Sequence, residues 1–182
     1  MRVSVFGLGY VGAVTAACLA KEGHKVIGVD VAEEKVNLIN QGQSPLLEEG
    51  MEDLVAEVVR TGSLTATTDT AHAVANSDIA LVCVGTPSRA NGSLDDRYIE
   101  QVIGEIGSLL ADRESPFLVV VRSTVTPGTM TGLVIPLLES ASGKPAGQGY
   151  DVAFHPEFLR EGSSVADYYA PPKIVVGERV PG

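Results

Sequence analysis

The sequence predicts an α/β fold, a doubly wound, mainly parallel sheet with helices on both faces. Three observations predict it. Short apolar runs rich in β-branched residues alternate with helix-like segments along the chain. The runs are apolar throughout instead of alternating with polar residues, as in strands covered on both sides. The first run also passes through a glycine-rich turn directly into a helix of small residues.

The apolar runs lie at residues 3–6, 26–29, 79–84, 117–121, 152–154 and 174–176, with a weaker one at 64–67. Each is predicted to be a strand. Between the third and fourth strong runs, Ile99, Val102, Ile103, Ile106 and Leu110 recur at spacings of three and four, which makes one apolar helix face. Asp95 and Asp96 precede that helix and suit its positive end. The stretch SGKPAGQGYD at 142–151 reads as a surface loop. No repeat or low-complexity tract interrupts the pattern, so residues 1–182 are expected to form a single domain.

Composition narrows the function classes. Of 182 residues, 45% are hydrophobic and 20% charged, which is ordinary for one domain with a substantial core. The net charge of −10 argues against nucleic acid as a partner. It leaves room for a phosphate-bearing small ligand, because a local nest of backbone N–H groups overrules the mean field. No apolar run approaches the roughly 20 residues of a membrane span. The start, MRVSVFGLGY, lacks the length and cleavage site of a signal peptide. Cys18 and Cys83 are far apart, which suggests free thiols in a reducing, cytoplasmic setting. His24, His72 and His155 are scattered, and no metal-ligand spacing is present.

The turn VSVFGLGYVG carries Gly7, Gly9 and Gly12 in G-x-G-x-x-G spacing. Gly7 permits the tight turn, Gly9 lets backbone approach a pyrophosphate, and Gly12 lets the helix lie close on the sheet. The pyrophosphate then sits on the helix N-terminus. The next strand ends near Asp30, whose carboxylate accepts ribose hydroxyls and repels a 2′-phosphate, favouring NAD over NADP. This is the Rossmann-type dinucleotide pattern. Lys35, one turn into the following helix, is either a partner of the adenosine or a solvated surface lysine. Cys18 and Cys83 sit among apolar neighbours and read as buried small hydrophobes, not nucleophiles.

Three strand ends carry unusual chemistry. Thr86 follows the run at 79–84, Thr124 follows 117–121, and His155-Pro156-Glu157 follows 152–154. Doubly wound sheets bind ligands at this edge. Each feature taken singly is equally well a cap or a turn. In HPEFLREG, Glu157 and Glu161 lie four apart, either as functional carboxylates one helical turn from each other or as a pair favoured by a helix dipole.

The segments FGLGYVG, GVDV, LINQGQSPLLEEG, VCVGTPS, NGSLD, RSTVTPGT and HPEFLREG, in this order, resemble the NAD-binding domain of the UDP-glucose/GDP-mannose dehydrogenases nearly from end to end. RSTVTPGT and PPKIVVGE are more similar to the GDP-mannose branch. That family oxidises the C6 alcohol of a nucleotide-linked hexose to a carboxylate, using two NAD molecules and a cysteine thioester. The resemblance implies that Gly7, Gly9, Tyr10, Val11 and Gly12 hold the pyrophosphate and that Asp30 and Lys35 hold the adenosine side. It places Thr86 and Thr124 near the reactive end of NAD, with Thr124 also positioning a catalytic water. It makes Glu157 the general base of the hydrolytic step. Glu161 would contact the nucleotide-sugar, with Phe158, Leu159 and Arg160 lining its path. His155 departs from the family's asparagine before Pro-Glu, as a change in the setting of Glu157 or as a satisfied structural histidine.

The family's nucleophilic cysteine, its oxyanion lysine and the long helix that builds its homodimer match nothing in these 182 residues. The tail GERVPG ends without a closing helix. The expectation is a domain excised from a longer two-domain enzyme, inactive alone. Competing expectations are a UDP-glucose 6-dehydrogenase, an NAD-responsive binding module without catalysis, and a dehydrogenase of small β-hydroxy acids. The binding module leaves RSTVTPGT and HPEFLREG without a purpose, and a β-hydroxy-acid dehydrogenase would not need Glu157 and Glu161 at this spacing.

Overall fold

The computed structural model describes residues 1–179; residues 180–182, the end of the GERVPG tail, lie outside it. In chain order the elements are β1 (Arg2–Phe6), α1 (Tyr10–Lys21), β2 (Lys25–Val29), α2 (Glu33–Asn40), α3 (Met51–Arg60), β3 (Leu64–Thr67), α4 (Thr70–Ala75) and β4 (Ile79–Val82). They continue with α5 (Arg97–Leu110), β5 (Phe117–Val121), a π-helical turn (Met130–Val134) running into α6 (Ile135–Ser142), β6 (Tyr150–Phe154), α7 (Ser164–Tyr169) and β7 (Gly177–Glu178). The strands form one sheet of order β3-β2-β1-β4-β5-β6-β7. All neighbours pair in parallel except β7, which runs antiparallel to β6.

The chain leaves β1 outward to β2 and β3, then crosses back to β4 on the other side. The carboxyl ends of β1 and β4 therefore part in opposite directions and open a crevice, the usual ligand position in such sheets. Beneath it, Ile99, Ile103, Ile106 and Leu110 of α5 pack on Val82, Val119 and Val121 with at most 2% exposure, as the helix periodicity predicts. On the other side, α1 seats Ala16 and Ala20 against Val3, Val5 and Val26. Small residues let this helix ride low on the sheet, so its N-terminus stays level with the strand ends. The loop predicted at 142–151 is shorter than expected: Ser142 ends α6, and Tyr150 and Asp151 already begin β6, so it runs from the left-handed Gly143 to Gly149.

One predicted strand is corrected. The apolar run at 174–176 is outside the sheet, with Ile174, Val175 and Val176 exposed by 72%, 43% and 61%. Only the two residues after it, Gly177 and Glu178, pair with Phe154 and Ala153. Pro171 and Pro172 stiffen the approach, so the chain meets the β6 edge only past the apolar run. An apolar run predicts a buried strand only where other elements cover it. Among the described residues, no helix is long and apolar enough to cross a membrane.

Candidate functional site

The turn between β1 and α1 is held in shape by what its glycines lack. Gly7 has φ +92° and donates its N–H to the Val29 carbonyl at 2.7 Å. A Cβ at Gly12 would stand 1.7 Å from the Gly7 oxygen, so α1 can approach only with glycine there. Gly9 is the N-cap of α1, and no atom lies within 4 Å of where its Cβ would be. The first amides of α1 thus border open space. That is a cradle for an anion which a side chain at position 9 would fill, and it fits the pyrophosphate of NAD.

Asp30 follows β2 and its carboxylate is 9% exposed. It accepts the Leu8 N–H at 2.7 Å and the Ala32 N–H at 2.9 Å, and Lys35 Nζ lies 3.3 Å away. Through Leu8 it ties the glycine turn to the end of β2. The lysine is thus drawn to Asp30 instead of extending free into solvent. The two residues assigned to the adenosine side sit together, beside the turn assigned to the pyrophosphate.

A cavity of about 230 Å³ opens beside the glycine turn. Gly9, Tyr10 and Val11 form one wall, Thr86 and Thr124 another, and Glu157 a third. Residues from four separate strand ends, spread over about 150 positions of chain, thus converge on one space. Side chains join the loops that bring them there. Thr86 Oγ1 donates to the Thr124 carbonyl at 2.7 Å, and Ser123 Oγ donates to the Val84 carbonyl at 2.6 Å. Arg122, 7% exposed, also lines this cavity, although no sequence signal gives it a role.

His155 is explained by Arg122. Arg122 Nη1 donates to His155 Nδ1 at 2.7 Å, and the His155 N–H donates to the Val121 carbonyl at 2.9 Å. Burial, and then the Arg122 charge, push the His155 pKa below its usual value, so the ring stays neutral and accepts. This matches the reading of a satisfied structural histidine.

The stretch HPEFLREG is not helical. Residues 155–160 are irregular, a turn follows at 161–163, and α7 begins only at Ser164. Glu157 and Glu161 are therefore not one helical turn apart on a shared face, which corrects that expectation. Pro156 removes a donor, and Glu157 accepts the Leu159 N–H at 2.7 Å in a local turn that competes with helix. Glu157 is half-buried at the cavity, while Glu161 is exposed and outside its lining.

The three residues between them are engaged with the fold. Lys173 Nζ sits 4.3 Å above the Phe158 ring. Leu159 packs with Val165 and Tyr168 against Ala17 and Cys18 of α1. Arg160 binds Asp167 through Nη2 at 2.7 Å and Nε at 3.1 Å. Phe158 and Leu159 also border a larger cavity, of about 460 Å³, over the sheet face.

Glu48 is a residue of this region that the sequence does not single out, although it lies inside LINQGQSPLLEEG. It accepts the Tyr10 hydroxyl and the amides of Gly162 and Ser164. An acidic pair in a Pro-containing connection between two helices is the available signal, and it names no partner. Cys18 and Cys83 are both buried, and burial pushes each thiol up to about 12. Neither is set up as a nucleophile. Among the described residues, no group of three or more His, Cys, Asp or Glu is arranged to hold a metal.

Comparison with known proteins agrees with this geometry. Residues 1–181 match the model of the NAD binding domain of the UDP-glucose/GDP-mannose dehydrogenase family. The chain is 54% identical over 178 residues to GDP-mannose 6-dehydrogenase of Pseudomonas aeruginosa, covering 98% of this chain and 41% of that protein. It is 42% identical over 177 residues to a UDP-glucose 6-dehydrogenase of Haloferax volcanii, covering 97% and 41%. A crystal structure of a ternary complex of the Pseudomonas aeruginosa GDP-mannose dehydrogenase superposes with a TM-score of 0.96 over 98% of this chain and 41% of that one, at 54% identity. UDP-glucose dehydrogenase from Pyrobaculum islandicum superposes with a TM-score of 0.91 at 39% identity, covering 98% and 41%. This chain spans about two-fifths of the length of these relatives. With its glycine cradle, its Asp30 and its match over residues 1–181, the chain belongs to the UDP-glucose/GDP-mannose dehydrogenase family, as an NAD-binding domain.

Proposed function

We propose that residues 1–182 are the single NAD-binding domain of a longer, two-domain, homodimeric nucleotide-sugar dehydrogenase of the cytoplasm. The enzyme oxidises the C6 alcohol of GDP-mannose to the uronate carboxylate in two NAD-dependent steps. The observation that carries this reading is the convergence of Glu157, Thr86 and Thr124 on the cavity beside Gly9, Tyr10 and Val11. A module that only bound NAD would need no carboxylate there. GDP-mannose is favoured over UDP-glucose because identity is 52–54% to several GDP-mannose 6-dehydrogenases and 42% to the UDP-glucose 6-dehydrogenase of Haloferax volcanii. The free, buried cysteines suit a reducing compartment.

In this reading the amides at Gly9, Tyr10 and Val11 hold the pyrophosphate, with Gly7 and Gly12 fixing the turn. Asp30 takes the ribose hydroxyls and Lys35 lies over the adenosine. NAD, when bound, supplies the hydride acceptor for both oxidations. Thr86 and Thr124 border its reactive end, and Thr124 orients a water. Glu157 removes a proton from that water as its oxygen attacks the acyl carbon in the hydrolytic step; the C–S bond of the thioester breaks and the proton passes to the departing thiolate. Glu161, exposed beyond the cavity, is free to take polar groups of the nucleotide-sugar, with Phe158, Leu159 and Arg160 along its approach. The acyl-carrying thiol comes from the remainder of the full-length enzyme, since burial disqualifies Cys18 and Cys83.

The test is turnover by the full-length protein across nucleotide-sugars, with Glu157→Gln beside the wild type. GDP-mannose is expected to give the highest kcat/KM. The variant is expected to lose about 10²- to 10⁴-fold in the hydrolytic step while still binding NAD. Preference for UDP-glucose would replace the substrate, and undiminished turnover by Glu157→Gln would remove that residue from the mechanism.

A further inference from the structure

Residues 41–50 connect α2 to α3 and lie against two other segments at once. Leu46 packs in the same apolar cluster as Leu159, Val165 and Tyr168. Beside this seam, the Glu48 carboxylate gathers three donors. Ser164 N–H reaches Oε1 at 2.8 Å, and Gly162 N–H reaches Oε2 at 2.9 Å. The Tyr10 hydroxyl lies 3.1 Å from Oε2. It also lies 2.8 Å from the Arg160 carbonyl. A phenol has one proton, so at any moment Tyr10 donates to only one of these two acceptors.

Glu48 is charged in this setting. Burial opposes the charge, but the amides of Gly162 and Ser164, with the Tyr10 hydroxyl, outweigh it and hold the carboxyl below its usual range. Tyr10, meanwhile, is the first residue of α1 and a wall of the cavity that contains Glu157. A single carboxylate thus restrains both a ring in the cofactor crevice and the turn that follows Glu157. Nothing in the backbone links these regions locally, because Glu48 is 38 residues from Tyr10 and 114 from Gly162.

We propose that Glu48 is a positioning residue that couples NAD binding at the α1 turn to the order of the 155–164 loop. The coupling rests on the reading of that turn as the NAD site. Dinucleotide seated beside Tyr10 fixes its ring. The fixed hydroxyl settles its share of the Glu48 and Arg160 acceptors, and the loop carrying Glu157 and Glu161 tightens. Coupling between sites is reciprocal, so an ordered loop raises NAD affinity by the same factor.

The test is amide hydrogen exchange on the 182-residue chain, with and without saturating NAD, read at Leu159 and Arg160. These amides donate to Glu157 and Asp167 and do not touch Glu48. In the wild type, NAD is expected to slow their exchange about fivefold, a typical coupling factor. Glu48→Gln and Tyr10→Phe are expected to abolish that NAD-dependent increment, and NAD affinity by calorimetry should fall by the same factor. Tyr10→Phe keeps the ring and both amide bonds to Glu48, so it decides the question if Glu48→Gln does not fold. An increment absent from the wild type, or undiminished in the variants, overturns the coupling and leaves Glu48 a static brace. A wild-type chain that bound no NAD would instead overturn the cofactor reading, and the coupling with it.

Discussion

The turn after β1 and the loop after β6 border the same cavity, yet they are built in opposite ways. The first is fixed by steric exclusion within six residues: Gly7 takes a left-handed φ, and Gly12 leaves no room for a methyl group. The second has no regular structure from 155 to 160 and depends on side chains that reach it from elsewhere. Arg122 holds His155, Asp167 holds Arg160, and Glu48 and Tyr10 hold the turn that follows. In the function proposed above, the rigid region takes the part of the ligand common to all dinucleotide enzymes. The adjustable one carries the carboxylates assigned to the particular reaction. A binding platform benefits from a backbone with one allowed shape, whereas a loop that responds to ligand needs contacts that can be remade.

The largest expected effect lies in the rigid region. Gly12→Ala puts a methyl group 1.7 Å from the Gly7 oxygen, so α1 must move away from the sheet. A loss of about 3 kcal/mol or more is expected in urea unfolding, at the top of the range for overpacking. A loss below about 1 kcal/mol would show that this turn is as adjustable as the other, and the contrast would fail.

Next is the specificity of the same platform. Asp30→Asn removes the charge proposed to meet the ribose while keeping one acceptor for Leu8 and Ala32. NAD affinity should fall about 10- to 100-fold by calorimetry, the scale of one charge-assisted hydrogen bond. NADP affinity should fall less or rise, narrowing the preference. An unchanged preference would reassign the ribose contact.

Acid should separate the two regions. The Arg160 guanidinium, against the opposing effect of burial, holds Asp167 at about 2, below its usual 3.8. A folded-state pKa below the unfolded one gives stability that is complete above about pH 4 and lost as pH falls from there to about 2. Amides around 160–167 should therefore lose exchange protection in that window while those of α1 and of β1 beyond Arg2, whose own amide donates to the similarly held Asp78, keep theirs. Asp167→Asn should flatten the pH dependence locally. Simultaneous loosening of both regions would blur the comparison.

The smallest effect is expected at His155. His155→Asn keeps an acceptor for Arg122 and should change stability by under about 1 kcal/mol. His155→Ala leaves Nη1 without its partner beside an Nε that already lacks one, and should cost more. Equal effects would mean that the Arg122 contact does not hold the loop.

Legibility follows the same division. The glycine spacing, Asp30, and Thr86 and Thr124 at the strand ends are readable, because backbone sterics and strand termini write themselves into local sequence. The helical spacing expected for Glu157 and Glu161 misleads, since Pro156 and the Glu157–Leu159 turn displace helix there. Residues 174–176 mislead because an apolar run states a need for cover without stating whether cover exists. Glu48 and Arg122 stay hidden, as the groups they hold lie more than 30 residues away along the chain.

By itself the amino-acid sequence determined the sheet, the helix that rides on it and the dinucleotide cradle, because each depends on periodicity or on a missing Cβ at a fixed spacing. Tertiary structure alone decided which carboxylate faces the cavity, which histidine is already satisfied, and that a glutamate between two helices holds the far loop in place. Those outcomes depend on distances between residues up to about 150 positions apart, and such distances exist only once the chain has folded.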